Sequence, residues 1–133
     1  MDLRVTKTDR APAPVGPYSQ AILAGDLVFC AGQLALDAQT GQLVGGDDVR
    51  AQTRRVLDNL AAVLVSADSS LDRVTKTTVF LADLADFPAM NEVYADRFGT
   101  HKPARSTVGA SLLRGAKVEI TQVAVGAPPP APR

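Results

Sequence analysis

Leu27-Val-Phe-Cys-Ala-Gly-Gln-Leu-Ala-Leu36 is a nearly unbroken apolar run, where a strand with one wet face would alternate. A strand of that kind is expected to be buried on both faces. Just upstream, Gly25-Asp26 suits a tight turn and joins the run to Tyr18-Ser-Gln-Ala-Ile22 as a hairpin. The chain reaches that hairpin through Arg10-Ala-Pro-Ala-Pro-Val-Gly-Pro17, which reads as rigid and irregular.

Downstream, Asp37 to Gly46 is loop, with Thr40-Gly41 and Gly45-Gly46 as breakers. Asp47 or Asp48 caps a helix whose stripe is Val49, Val56, Leu57, Leu60, Val63 and Leu64, while Arg50, Arg54 and Arg55 fall on its solvated side. Arg73-Val-Thr-Lys-Thr-Thr-Val-Phe-Leu81 is dense in β-branched residues and reads as a strand. Asp86 caps a second helix with Pro88 in its first turn, an apolar stripe of Phe87, Met90, Tyr94 and Phe98, and Gly99 at its end. Two strands follow, Ala104 to Gly109 and Lys117 to Val125, with a turn near Arg114-Gly115. The order β-β-α-β-α-β-β predicts an α/β (α+β) domain over residues 1–126 with both helices on one face of a sheet. The second face then needs another cover, for which the simplest candidate is another copy of the chain.

Composition narrows the function classes. The 133 residues carry 14 basic and 14 acidic side chains, so no surplus charge recommends a nucleic acid or an anionic membrane as partner. No stretch approaches the roughly 20 apolar residues of a membrane span, and Met1-Asp-Leu-Arg4 lacks a signal-like run, which makes the cytosol the expected address. One cysteine, Cys30, and one histidine, His101, exclude an intrachain disulfide and any Cys/His zinc cluster. No metal or cofactor is expected. The tail Ala127-Pro-Pro-Pro-Ala-Pro-Arg133 reads as polyproline or disordered.

Nucleophile-elbow, phosphate-loop and dinucleotide motifs are missing. Cys30, between Phe29 and Ala31, reads as an inert buried thiol, and His101, just past a helix end, reads as a polar cap. Tyr18 is either a pocket wall or an edge of the core. Charge inside a strand is the remaining signal. Arg105 shares a face with Thr107 and Gly109, and Glu119 shares one with Lys117, Thr121 and Val123. An arginine fork pairs bidentately with a carboxylate, so Arg105 holds either Glu119 across neighbouring strands or the carboxylate of a ligand.

Five short motifs lie in order along the chain: Gly16-Pro-Tyr-Ser-Gln20; Ala31-Gly-Gln33; Lys76-Thr-Thr-Val-Phe80 with Asp83-Leu84; Asn91 and Tyr94; and Pro103-Ala-Arg-Ser106 with Val118-Glu-Ile120. Together they closely resemble the Rid (YjgF-type) imine deaminase family from about residue 10 to 125. The resemblance implies a chorismate-mutase-like fold assembled as a homotrimer, with sheets facing inward and clefts between subunits. It also implies hydrolysis of 2-imino and 2-enamino acids, such as 2-iminobutanoate and 2-iminopropanoate, to 2-keto acids and ammonia.

By the same resemblance Arg105 grips the substrate carboxylate and Glu119 positions or activates water. Tyr18 lines the pocket, Gly32 allows close backbone approach, and Asn91 lies at the cleft. The chain departs from the family at Ala31, where archetypal members carry serine, and at Thr107, where many carry cysteine. Those departures motivate a second reading, a non-catalytic binding module for a small carboxylate metabolite. A third, a ribonuclease or translation inhibitor as reported for some members, sits poorly with zero net charge.

Overall fold

The computed structural model describes residues 1–126, so the proline-rich segment 127–133 and the reading made of it lie outside the described residues. The elements are β1 (Leu3–Thr6), β2 (Ala21–Ala24), β3 (Leu27–Gln33), α1 (Val49–Ser66), β4 (Val74–Leu81), α2 (Phe87–Phe98), β5 (Ala104–Gly109) and β6 (Val118–Val125). They form an α+β fold in which two helices back a six-stranded sheet of order β1-β2-β3-β6-β4-β5. Only β4 and β5 run parallel, and α2 is the crossover that allows it.

The expected order lacked β1. Leu3-Arg-Val-Thr6 is too short and polar to declare itself, and it is a strand because β2 offers an edge, pairing Leu3 with Ala24 through Thr6 with Ala21. The hairpin strand expected at Tyr18 to Ile22 instead runs Ala21–Ala24, and glycine takes the left-handed position of its turn, with φ 59° at Gly25.

The apolar run at 27–36 differs from its reading in two ways. It leaves the sheet at Gln33 after a register shift, and the carbonyls of Leu34 and Leu36 are held instead by the Asn59 amide at 3.1 and 3.0 Å. Within β3 burial alternates. Val28 and Cys30 face the core, while Leu27 and Phe29 are 40% and 44% exposed in the single chain. The second face of the sheet is thus open, with apolar Leu27 and Phe29 exposed on β3, as the shortage of helices implied.

The helix face closes over Val28, Val79, Leu81, Val118, Ile120 and Ala124 from the sheet and Val56, Leu57, Leu60, Leu64, Met90 and Phe98 from the helices. Each fully buried leucine contributes roughly 1.5–3 kcal/mol of transfer free energy. Asp48 caps α1, its carboxylate accepting from the amides of Arg50 and Ala51. Asp86 occupies the N-cap position of α2 without a capping bond, and its carboxylate lies 3.9 Å from Lys117 Nζ. Among the described residues no helix is long and apolar enough to cross a membrane.

A buried glutamine ties down the proline-rich entry segment. Gln20 Oε1 accepts from the Thr8 amide at 2.7 Å, and its Nε2 donates to the carbonyls of Thr8 at 3.0 Å and Pro12 at 2.9 Å. This side chain replaces the ladder that prolines cannot make. Gln20→Leu, which strands those backbone groups, is expected to lower unfolding free energy by about 2 kcal/mol or more in urea titrations. An unshifted midpoint would show that the segment is held by other means.

Candidate active site

Strand pairing decides where the charged residues go. Arg105 pairs with Thr77 of β4, and Glu119 pairs with Phe80 of the same strand. Thr77 and Phe80 are three residues apart, so they point to opposite faces. Thr77 is fully buried beneath the helices, which puts Arg105 on the helix side and Glu119 on the open side. β4 also lies between β5 and β6, so the two charges are not on neighbouring strands. The cross-strand Arg105–Glu119 ion pair is therefore ruled out within one chain.

The candidate residues gather into two groups. Tyr18, Ala31, Gly32 and Glu119 line a cavity of about 310 Å³, walled by Pro12, Val15 and Leu113 among others. Asn91 and Arg105 line a second, of about 360 Å³, with Tyr94, Phe98 and His101. Thr107 keeps the helix-side parity of Arg105, opposite Val79 of β4, and lines neither.

In the first cavity Gly32 passes so close to Glu119 that a Cβ there would lie 2.6 Å from Oε2 and 3.0 Å from Cδ. The requirement for glycine is steric, because the backbone there is not left-handed. Burial alone pushes the Glu119 carboxyl above its usual range. Tyr18, half exposed, stands at the rim of the entry segment, its hydroxyl 3.4 Å from the Val15 amide. Pocket wall is the alternative that fits it.

In the second cavity the Arg105 guanidinium carbon lies 4.7 Å from the Tyr94 ring centroid and 5.4 Å from that of Phe87. Its Nη1 donates to Asn91 Oδ1 at 2.7 Å. No carboxylate pairs with Arg105 among the described residues. Sequence reasoning placed Phe87 and Tyr94 in the core stripe and missed that they also floor this arginine. The available signal was spacing, since 87, 91 and 94 share one helix face.

Cys30 and His101 stand apart from this chemistry. Burial pushes the Cys30 thiol up to about 11, which keeps it protonated and inert. His101 shares the second cavity; its amide donates to the Phe98 carbonyl at the end of α2 at 3.2 Å, as a cap does, while its ring Nε2 is 2.6 Å from the Val74 carbonyl of β4. Arg114, also missed, is a cation on the wall of the Glu119 cavity, held at φ 62° in a tight turn.

A family model described as Endoribonuclease L-PSP matches residues 8–126. The chain belongs to this family, that of the Rid proteins. A RutC family protein of Pyrococcus horikoshii is 51% identical over 118 residues, 88% of this chain and 93% of that protein. Human 2-iminobutanoate/2-iminopropanoate deaminase is 40% identical over 126 residues, 94% of this chain and 91% of its own length. The crystal structure of E. coli TdcF with bound serine superposes with a TM-score of 0.87 at 39% identity, covering 93% of this chain and 99% of that one.

In this Rid chain Gly32→Ala is expected to fold with little loss of thermal stability, because the Cβ meets the far end of a flexible side chain. The Glu119 carboxylate must swing away, and carbon-detected NMR titration of that carboxyl should register the move as a changed pKa. An unaltered titration would mean the close approach constrains nothing.

Proposed function

We propose that this Rid chain hydrolyses 2-imino and 2-enamino acids, such as 2-iminobutanoate and 2-iminopropanoate, to 2-keto acids and ammonia, at clefts formed between copies of itself. The observation that carries the reading is the division of the candidate residues. Glu119 with Gly32 and Tyr18 is on one face of the sheet, and Arg105 with Asn91 is on the other. A substrate about five heavy atoms long cannot reach both through the sheet. It can reach both where the Glu119 cavity of one copy meets the Arg105 edge of the next, and the open apolar face around Leu27 and Phe29 gives copies a reason to associate. We take the assembly to be the trimer of the family resemblance, with the cytosol as its place.

The chemistry asks little of the protein. The substrate carboxylate meets the uncompensated N–H edge of Arg105 bidentately, which fixes the imine carbon in place. A protonated imine is already an electrophile. As water attacks its carbon, the Glu119 carboxylate takes a proton from that water, giving a carbinolamine. Return of that proton to nitrogen makes ammonia the leaving group; as the C–N bond breaks, the Glu119 carboxylate accepts the hydroxyl proton and the carbonyl of the 2-keto acid forms. The human deaminase at 40% identity and the serine-bound E. coli protein at 39% support this substrate class.

Ala31 and Thr107 favour a second reading in which the same cleft binds a carboxylate metabolite without turnover. A coupled assay that generates the imine with a pyridoxal-phosphate enzyme separates the two. Accelerated release of ammonia that Arg105→Ala and Glu119→Gln each abolish is expected, and a wild-type rate equal to the spontaneous one would discard the deaminase reading.

A mixing experiment tests the division of the site. Arg105→Ala and Glu119→Gln chains, each inactive alone, are refolded together so that their protomers reassort. In a ring of such subunits about one quarter of the interfaces then combine two intact halves, and about that fraction of activity should return. No recovery in reassorted oligomers would place both residues in one chain's site.

The pH profile follows from the direction of the Glu119 shift. Its folded pKa lies above the usual carboxylate value, so the protonated form persists to higher pH. Because the base must be ionised, kcat/KM is expected to fall as pH drops through that raised value, earlier than for an ordinary glutamate. Stability moves the other way, since the folded state favours the proton and loses that advantage as pH rises. A profile flat down to the ordinary carboxylate range would exclude Glu119 as the base.

A further inference from the structure

We propose that Tyr94 and Phe87 are positioning residues for Arg105. With Asn91 between them they fix the guanidinium in one orientation while leaving its charge free for a ligand carboxylate. The identity of that ligand rests on the deaminase reading. The seat itself rests on geometry alone.

Phe87, Asn91 and Tyr94 follow one another at four and three residues along α2, so they form one stripe facing β5. Both ring centroids lie within the roughly 6 Å over which a guanidinium is attracted to a π face. The Tyr94 ring is not free to swing. Its hydroxyl is 2.7 Å from Thr77 Oγ1, buried, and Thr77 is the residue of β4 paired with Arg105 itself. The ring is thereby tied to the strand beside the one it serves.

The division of contacts matters as much as their number. The rings attract the guanidinium through its charge and accept no conventional hydrogen bond from it. Two rings and one amide oxygen therefore hold the group while using one of its five N–H donors, at 2.7 Å to Asn91 Oδ1. Asn91 is a neutral acceptor. An aspartate of nearly the same shape at that position would keep the hydrogen bond but neutralise the charge that a ligand carboxylate needs.

The test measures 2-ketobutyrate binding by calorimetry alongside the NMR resonance of the Arg105 Hε proton. Phe87→Leu and Tyr94→Leu are each expected to weaken 2-ketobutyrate about tenfold. Tyr94→Phe, which keeps the ring, should recover most of that loss. Asn91→Asp should weaken binding more than either ring-loss variant. In wild type the rings are expected to shift Arg105 Hε upfield, and in the ring-loss variants it should return towards the position of a free arginine.

Tyr94 is buried, so Tyr94→Leu is at risk of misfolding, and Phe87→Leu at its half-buried site keeps the test decisive. Unchanged binding together with an unmoved Arg105 resonance would overturn the proposal. Wild-type protein that neither binds 2-ketobutyrate nor hydrolyses the imine would remove the deaminase reading instead. The Arg105 resonance would still decide the seat, standing if it is ring-shifted and falling if it is not.

Discussion

Strand β4 runs through the sheet with β6 antiparallel on one side and β5 parallel on the other, and the alternation of its side chains distributes the chemistry of the chain. Thr77, Val79 and Leu81 point under the helices, so whatever pairs with Thr77 is carried to that side. Phe80 points away, and it takes Glu119 with it. A slip of one residue in either pairing would exchange the two faces, which is why register in a half-buried sheet is strongly specified. Fully buried Val79, Leu81, Val118 and Ile120 specify it here, each of which would be pushed into water by such a slip.

The alternation leaves Arg105 and Glu119 without an ion-pair partner among the described residues of a chain that is neutral overall. They are made tolerable in different ways. Arg105 is solvated by π faces and one amide, which cost the group little of its capacity to bind an anion. Glu119 is partly desolvated against Gly32, and the protein accepts a raised carboxyl pKa in consequence. On the proposed reading the opposite treatments would suit opposite tasks: a binding cation works best when fully charged and fixed, and a base works best when its proton affinity is raised towards the working pH.

Much of the scaffold is legible in the residues themselves. The stripe of α1, the aspartate cap at Asp48, the proline and glycine limits of α2 and the β-branched density of β4 are local signals, and local physics settles them. What escaped were consequences of partners distant in sequence. β1 exists only because β2 offers an edge, and the apolar run beginning at Leu27 stops being a strand where Asn59 captures its carbonyls. The same limit applies to the site. Arg105 and Glu119 stand out as charges in strands, but pairing them assumed adjacency, and no local pattern reveals that β4 is inserted between their strands.

The open face and the divided site are two aspects of one constraint. A chain with two helices can bury only one side of six strands, and the strand that exposes Leu27 and Phe29 also carries Ala31 and Gly32 into the cavity that holds Glu119. If the apolar patch is covered by a second copy, that copy would lie against the same sheet face as Glu119. Assembly and catalysis would then draw on the same surface, and residues at the rim such as Val15, Tyr18 and Leu113, exposed in the single chain, would serve both. Such an arrangement also accounts for how few catalytic residues one chain needs. On the proposed reading each copy would contribute a cation from one edge and a base from one face, and the substrate itself would be the electrophile.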